Sequence, residues 1–94
     1  MQDSALKLIK EEVQDSNHPV ARRIFGNDDI NVLAIAFKAG QRLKEHLAYK
    51  PSKLTVLEGE VSYTAENRNE KLGPYQEVEI PGEEKHAVEA HIDS

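Results

Sequence analysis

Two stretches decide the fold: GQRLKEHLAYKPSKLTVLEG, residues 40–59, and YQEVEIPGEEKHAVEA, residues 75–90. In the first, Ala39-Gly40 reads as a turn and Leu43 to Ala48 as an extended segment. Lys50-Pro51-Ser52 interrupts it. Leu54 to Leu57 and Val61 to Ala65 then flank Glu58-Gly59-Glu60, a tight turn or bulge. Glycine supplies backbone conformations that such turns demand. In the second stretch, Gln76 to Ile80 alternates, with Val78 and Ile80 on one face and Glu77 and Glu79 on the other. Pro81-Gly82 breaks the run, and proline opens a strand where no ladder donor is needed. His86 to His91 alternates again. His86 shares its face with Val88 and Ala90, while Glu89 and His91 face the opposite way.

Working outward, Glu66-Asn67-Arg68-Asn69 reads as a polar hairpin loop. Towards the N-terminus, Val20 to Phe25 is a strand, and Gly26-Asn27-Asp28-Asp29 turns the chain into Ile30 to Phe37. That run is apolar except for Asn31. A run of this length rich in β-branched residues predicts a strand covered on both faces. A small sandwich leaves its outer face bare unless another subunit covers it, so the run points to a homodimer. Asp3-Ser4 before Ala5, Leu6, Leu8, Ile9 and Val13 predicts a short capped helix. Many short strands separated by polar turns indicate one all-β domain over residues 1–94, a sandwich or barrel with a short N-terminal helix.

Composition narrows the function. The chain has 94 residues, a formal net charge of −5, no cysteine and no tryptophan. A domain this small has a thin stability margin and gains from burying surface against a partner. Its charge argues against nucleic acid, which calls for a basic stripe, and against anionic membranes. Arg22-Arg23 reads as a solvated strand face. Thiol catalysis, disulfides and thiolate metal sites are excluded. No apolar run suits a signal peptide or a membrane span, so the expected location is the cytoplasm.

The two opening stretches resemble the signature motifs of the cupin superfamily, the RmlC-like jelly rolls. The first motif runs Gly, five residues, His, one, His, three or four, Glu, six, Gly. The second runs Gly, five residues, Pro, one, Gly, two, His. Gly40, His46, Gly59, Pro81 and His86 fall on matching positions. The resemblance implies a double-stranded β-helix, or jelly-roll barrel, with His46 and His86 facing its mouth. Cupins commonly hold a metal with three His and one carboxylate. Here Ala48 stands at the second His position and Ser52 at the Glu position, while Tyr75 and Glu83 replace the second motif's glycines. Cupins of this size usually carry another apolar strand after the second motif. Either the barrel is shortened by that strand, or an equivalent strand is expected to come from elsewhere, such as the N-terminal segment or a partner.

The resemblance therefore implies a ligand-binding pocket lined by His46, Ala48, Ser52 and His86. Its cofactor is either none or one weakly bound divalent metal, Zn, Fe, Mn or Ni, on His46 and His86. Glu45 and His91 alternate out of phase with these positions, and Glu84 shares the face of His86 only if its strand begins that early. Tyr49, Tyr63 and Tyr75 could line a pocket or pack with the hydroxyl at the surface. Ser52 lacks an elbow motif and is no nucleophile. Three functions follow, in order: a non-enzymatic small-molecule-binding or sensing domain; a metal-dependent dioxygenase or isomerase using His46 and His86; and a dimeric interaction module without a ligand.

Overall fold

The computed structural model describes residues 4–47 and 50–94, with all their side chains except those of residues 45–47. Helix α1 (Ala5–Val13) begins at Ser4, whose hydroxyl accepts a hydrogen bond from the Lys7 amide at 3.2 Å. This N-cap occupies one of the amide donors that a first helical turn leaves unpaired. Ile9 and Val13, one turn apart, are buried against Ala34 and Ala36, with Val20 at the edge of the cluster.

The strands are β1 (Val20–Gly26), β2 (Asn31–Ala36), β3 (Arg42–Leu47), β4 (Ser52–Thr55), β5 (Val61–Ala65), β6 (Arg68–Leu72), β7 (Glu77–Ile80) and β8 (Lys85–Ala90). All ladders are antiparallel. They make a β1-β2 hairpin, a four-stranded sheet of order β3-β8-β5-β6, and a β4-β7 pair. The four-stranded sheet contributes Val61, Tyr63, Leu72, Val88 and Ala90 to the main core. Val56 beyond β4, Val78 and Ile80 of β7, and Phe37 face them, with Ile35 and Leu54 at the margin. This is the double-stranded β-helix expected from the motifs, with the expected short helix.

Two details correct the sequence expectations. Residues 66–69 are not a loop throughout: Glu66 and Asn67 alone turn the chain, and Arg68 already pairs with Ala65. Strand β6 has the polar sequence RNEKL, in which only Leu72 is fully buried, so hydropathy does not mark it. The N-terminal segment does not complete a sheet, because residues 5–13 form α1. Ser94 instead exchanges two backbone hydrogen bonds with Phe37, at 2.7 and 2.9 Å.

The turns show why the motif spacing matters. Gly40 and Gly59 have φ of 86° and 88°. A Cβ on Gly59 would overlap Ser94 Oγ and the Asp93 carbonyl oxygen, so this turn excludes any side chain. Tyr75 and Glu83, which replace the second motif's glycines, also adopt left-handed φ, 65° and 66°. The backbone keeps the glycine conformation and carries its strain, since L-residues there clash with the following carbonyl.

Candidate binding site at one end of the barrel

The ladders place four positions in one row across the four-stranded sheet. His46 on β3 is the Cα partner of His86 on β8, His86 of Ala65 on β5, and Ala65 of Arg68 on β6. The next inward-facing row holds Val88, Tyr63 and Glu70. Beyond it Ala90, Val61 and Leu72 form an apolar row. Polarity therefore rises along the barrel axis from one end to the other. Ala65, the smallest residue of the polar row, stands in register between His86 and Arg68.

Tyr63 lies in the adjacent row. It is fully buried, and its ring stacks on His86 with centroids 5.3 Å apart and planes at 26°. The Arg68 guanidinium sits 5.1 Å from the Tyr63 centroid, within cation–π range. The Tyr63 hydroxyl donates to Glu84 Oε1. Arg68 Nη2 donates to the same oxygen at 3.0 Å and to the Glu79 carbonyl at 2.5 Å, and Nη1 reaches Glu70 Oε2 at 3.4 Å. Among the described residues, Arg68 Nε is buried without a hydrogen-bond partner. One guanidinium thus ties the β7–β8 turn to the β5–β6 hairpin.

The charges respond to this arrangement. Hydrogen bonds from Tyr63 and then Arg68 hold the Glu84 carboxyl below the usual carboxylate range. Burial, followed by the hydrogen bond to Glu84, pushes the Tyr63 phenol up. The hydrogen bond to Glu84 raises the Arg68 guanidinium further. The end of the barrel therefore carries an ionised carboxylate, a neutral phenol and a cation already met by two carboxylates. His86 is buried, and its Nδ1 lies 3.0 Å from the Glu84 carbonyl oxygen. A carbonyl only accepts, so Nδ1 carries the proton. In the neutral ring, Nε2 is then the lone-pair nitrogen.

The residues singled out from the motifs are distributed as follows. His86 lies on the interior face of β8, and position 46 is opposite it in register, the side chain of 46 being outside those described. Ala48 and Tyr49 lie outside the described residues. Ser52 is exposed, its hydroxyl donating to the Lys50 carbonyl at 3.1 Å. It borders an open depression of about 440 Å³ with Pro51, Lys53, Glu79, Ile80 and Pro81, which His86 does not line. Tyr75 is 83% exposed. His91 leaves the sheet and hydrogen-bonds Ser62 Oγ through Nε2 at 2.6 Å.

The family's four-ligand metal set does not fit this chain. Ser52 turns its hydroxyl to its own loop, and among the described residues no three His, Cys, Asp or Glu side chains gather. Sequence reasoning missed Arg68 and the part played by Glu84. Arg68 sat in an apparent loop, and Glu84 reaches the site from a turn, so strand alternation could not find it. A two-residue gap between Ala65 and a polar alternation ending at Leu72 was the available signal for β6.

No protein-family model matches the sequence, and no curated protein matches it. Solved structures do. A cupin superfamily protein of Desulfitobacterium hafniense DCB-2 superposes with a TM-score of 0.82 at 17% identity, covering 99% of this chain and 83% of that one. The TT1209 protein of Thermus thermophilus gives 0.77 at 22% identity, covering 97% and 86%. An RmlC-like cupin of Shewanella frigidimarina gives 0.77 at 15% identity, covering 85% and 72%. The chain has the cupin fold. At these identities the likeness extends to the fold and not to an activity.

Proposed function

We propose that this chain is a small-molecule-binding cupin domain that holds a compact polar ligand over the His86–Ala65–Arg68 row without a stoichiometric metal. One observation carries the reading: a small residue separates two hydrogen-bonding side chains in a single interior row, with the fully buried Tyr63 beside it. Glu84 and Glu70 already answer the charge of Arg68, so the site suits a neutral ligand rich in hydroxyl or carbonyl groups better than a polyanion. Nuclear magnetic resonance titration with a panel of sugars, polyols and hydroxy-carbonyl compounds tests it. Saturable shifts in the amides of 63–68 and 84–88 are expected. One tightly held Fe, Mn, Ni or Zn per chain in elemental analysis would overturn the metal-free reading.

A second reading is a metal-dependent enzyme using His46 and His86. The Nδ1–H donation to a backbone carbonyl favours it, because this is how proteins orient an imidazole that offers Nε2 to a metal. Binding to the native state would then raise the melting temperature on addition of a divalent metal. His86→Ala would abolish that rise, and absence of any shift with first-row metals removes this reading.

A further inference from the structure

The four-stranded sheet has a second face, turned away from the core, and its ladders set polar side chains there in two rows. One row runs Arg42 on β3, Glu89 on β8, Ser62 on β5 and Lys71 on β6. The next runs Ala87 on β8, Thr64 on β5 and Asn69 on β6. On the β3 side this second row meets a bulge. Residues 44 and 45 together stand against Ala87, between the pairs Leu43–Val88 and His46–His86. Bulges re-aim side chains and gather beside functional sites. Ala87 belongs to neither apolar cluster, yet it is buried. Longer neighbours bury it on this outer face, and together they line a depression of about 220 Å³ with Arg42, Ser62, Thr64, Asn69, Ala87 and Glu89 on its walls.

The lining leaves its charges unspent. Arg42 and Glu89 are Cα partners, a position where opposite charges stabilise a sheet by meeting. Among the described residues no ion pair joins them, and the side chains of Thr64 and Asn69 make no hydrogen bond. Next to them, Lys71 is taken by Glu60 at 3.4 Å. Ser62 Oγ is held by His91 Nε2 at 2.6 Å. A hydroxyl with one such bond still has a lone pair to offer. The depression therefore presents one cation, one anion, a hydroxyl and an amide, all open to a ligand.

We propose that this outer depression binds a free α-amino acid with a short polar side chain, its carboxylate on Arg42 and its ammonium on Glu89. Charge complementarity selects the occupant. A polyanion meets Glu89, a polycation meets Arg42, and an apolar molecule strips water from both without replacing it. A zwitterion answers both at once. Directly opposed residues hold their Cβ atoms about 5 Å apart. An α-amino acid carries its two charges on one carbon, so a single position meets both. The planar fork of a guanidinium gives a carboxylate two parallel hydrogen bonds. The Ser62 lone pair shares the ammonium with Glu89, which leaves Thr64 and Asn69 for the ligand's side chain. At about 30 Å³ for each water-sized group, the depression holds about seven, which suits serine, threonine or asparagine and not a peptide. Arg42 and Glu89 are exposed, so solvent screens both charges and the dissociation constant is on the order of 1 mM. The site lies on the opposite face of the sheet from the His86–Ala65–Arg68 row and does not rest on the function proposed for that row.

Nuclear magnetic resonance titration of the full chain with L-serine and L-asparagine, up to about 20 mM, tests the proposal. Saturable shifts are expected at the amides of Arg42, Ser62, Thr64, Asn69, Ala87 and Glu89. Arg42→Gln and Glu89→Gln should each weaken binding by about tenfold or more. N-acetyl-L-asparagine and L-asparagine methyl ester each lack one of the two charges and should lose as much. Because both side chains are exposed, the melting temperature of each variant without ligand should match wild type, which separates lost binding from lost folding. Lys53→Gln removes an exposed charge on β4 and should leave binding intact. No saturation by about 20 mM, binding indifferent to Arg42→Gln, equal binding of the N-acetyl form, or a response of these amides to glucose and not to the amino acids overturns the proposal.

Discussion

Strands β2 and β8 each have six residues, yet they live in opposite surroundings. β2, NVLAIA, is the more apolar sequence and has three exposed residues at its start. β8, KHAVEA, contains a lysine, a glutamate and a histidine and buries four of its six residues. The difference is position. β8 lies between β3 and β5 with the core on one face, whereas among the described residues β2 has one ladder partner and projects past the elements that cover it. Hydropathy states what a strand can bury; the number of neighbours states what it does bury.

The comparison breaks most sharply at matched aromatics. Tyr63→Ala removes a fully buried ring that contacts His86, Arg68 and Glu84, and should destabilise by about 3–5 kcal/mol in urea unfolding. Phe25→Ala at the hairpin tip should change the stability of dilute protein by less than about 0.5 kcal/mol. Equal losses would mean that the tip is buried and the contrast false.

Next in size are the turns. Gly59→Ala must displace Ser94 and Asp93, and should cost about 1–3 kcal/mol. Gly40 has the same left-handed φ but open space around it, so Gly40→Ala should cost less, about 1 kcal/mol. Chemical denaturation of the two variants side by side checks the order.

Acid probes the barrel end through Glu84. Glu84 has its pKa lowered by hydrogen bonds from Tyr63 and Arg68, so the folded state binds its proton less readily than the unfolded state. Its contribution is present above the ordinary carboxyl value of 4.5 and is lost as pH falls through the lowered folded value. The melting temperature should therefore fall with acid below that value. Glu84→Gln should lower it at neutral pH and flatten the acid slope. An unaltered slope would show that Glu84 is not paired in solution.

The smallest effect is a gain. Tyr75→Gly relieves a strained left-handed φ at an exposed side chain and should stabilise by up to about 1 kcal/mol, reduced by glycine's greater freedom in the unfolded chain. Thermal melts detect a gain of that size, and a loss would show that the ring makes contacts worth more than the strain.

The local signals were readable where period and punctuation coincide. The Ser4 cap, the alternation in β7, the glycines at 40 and 59 and the Pro81 break all carry their structure in a few adjacent residues, because sterics and side-chain alternation act locally. His86 was legible as an interior position for the same reason, sharing a face with Val88 and Ala90. Tertiary structure decided the rest. Arg68 became part of the site because β5–β6 register aligned it with Ala65, and Glu84 because a turn carried it to Tyr63. Cover on both faces of β2 likewise depended on where α1 and the core end. Those outcomes depend on which distant segments meet, and no single segment's pattern contains that information.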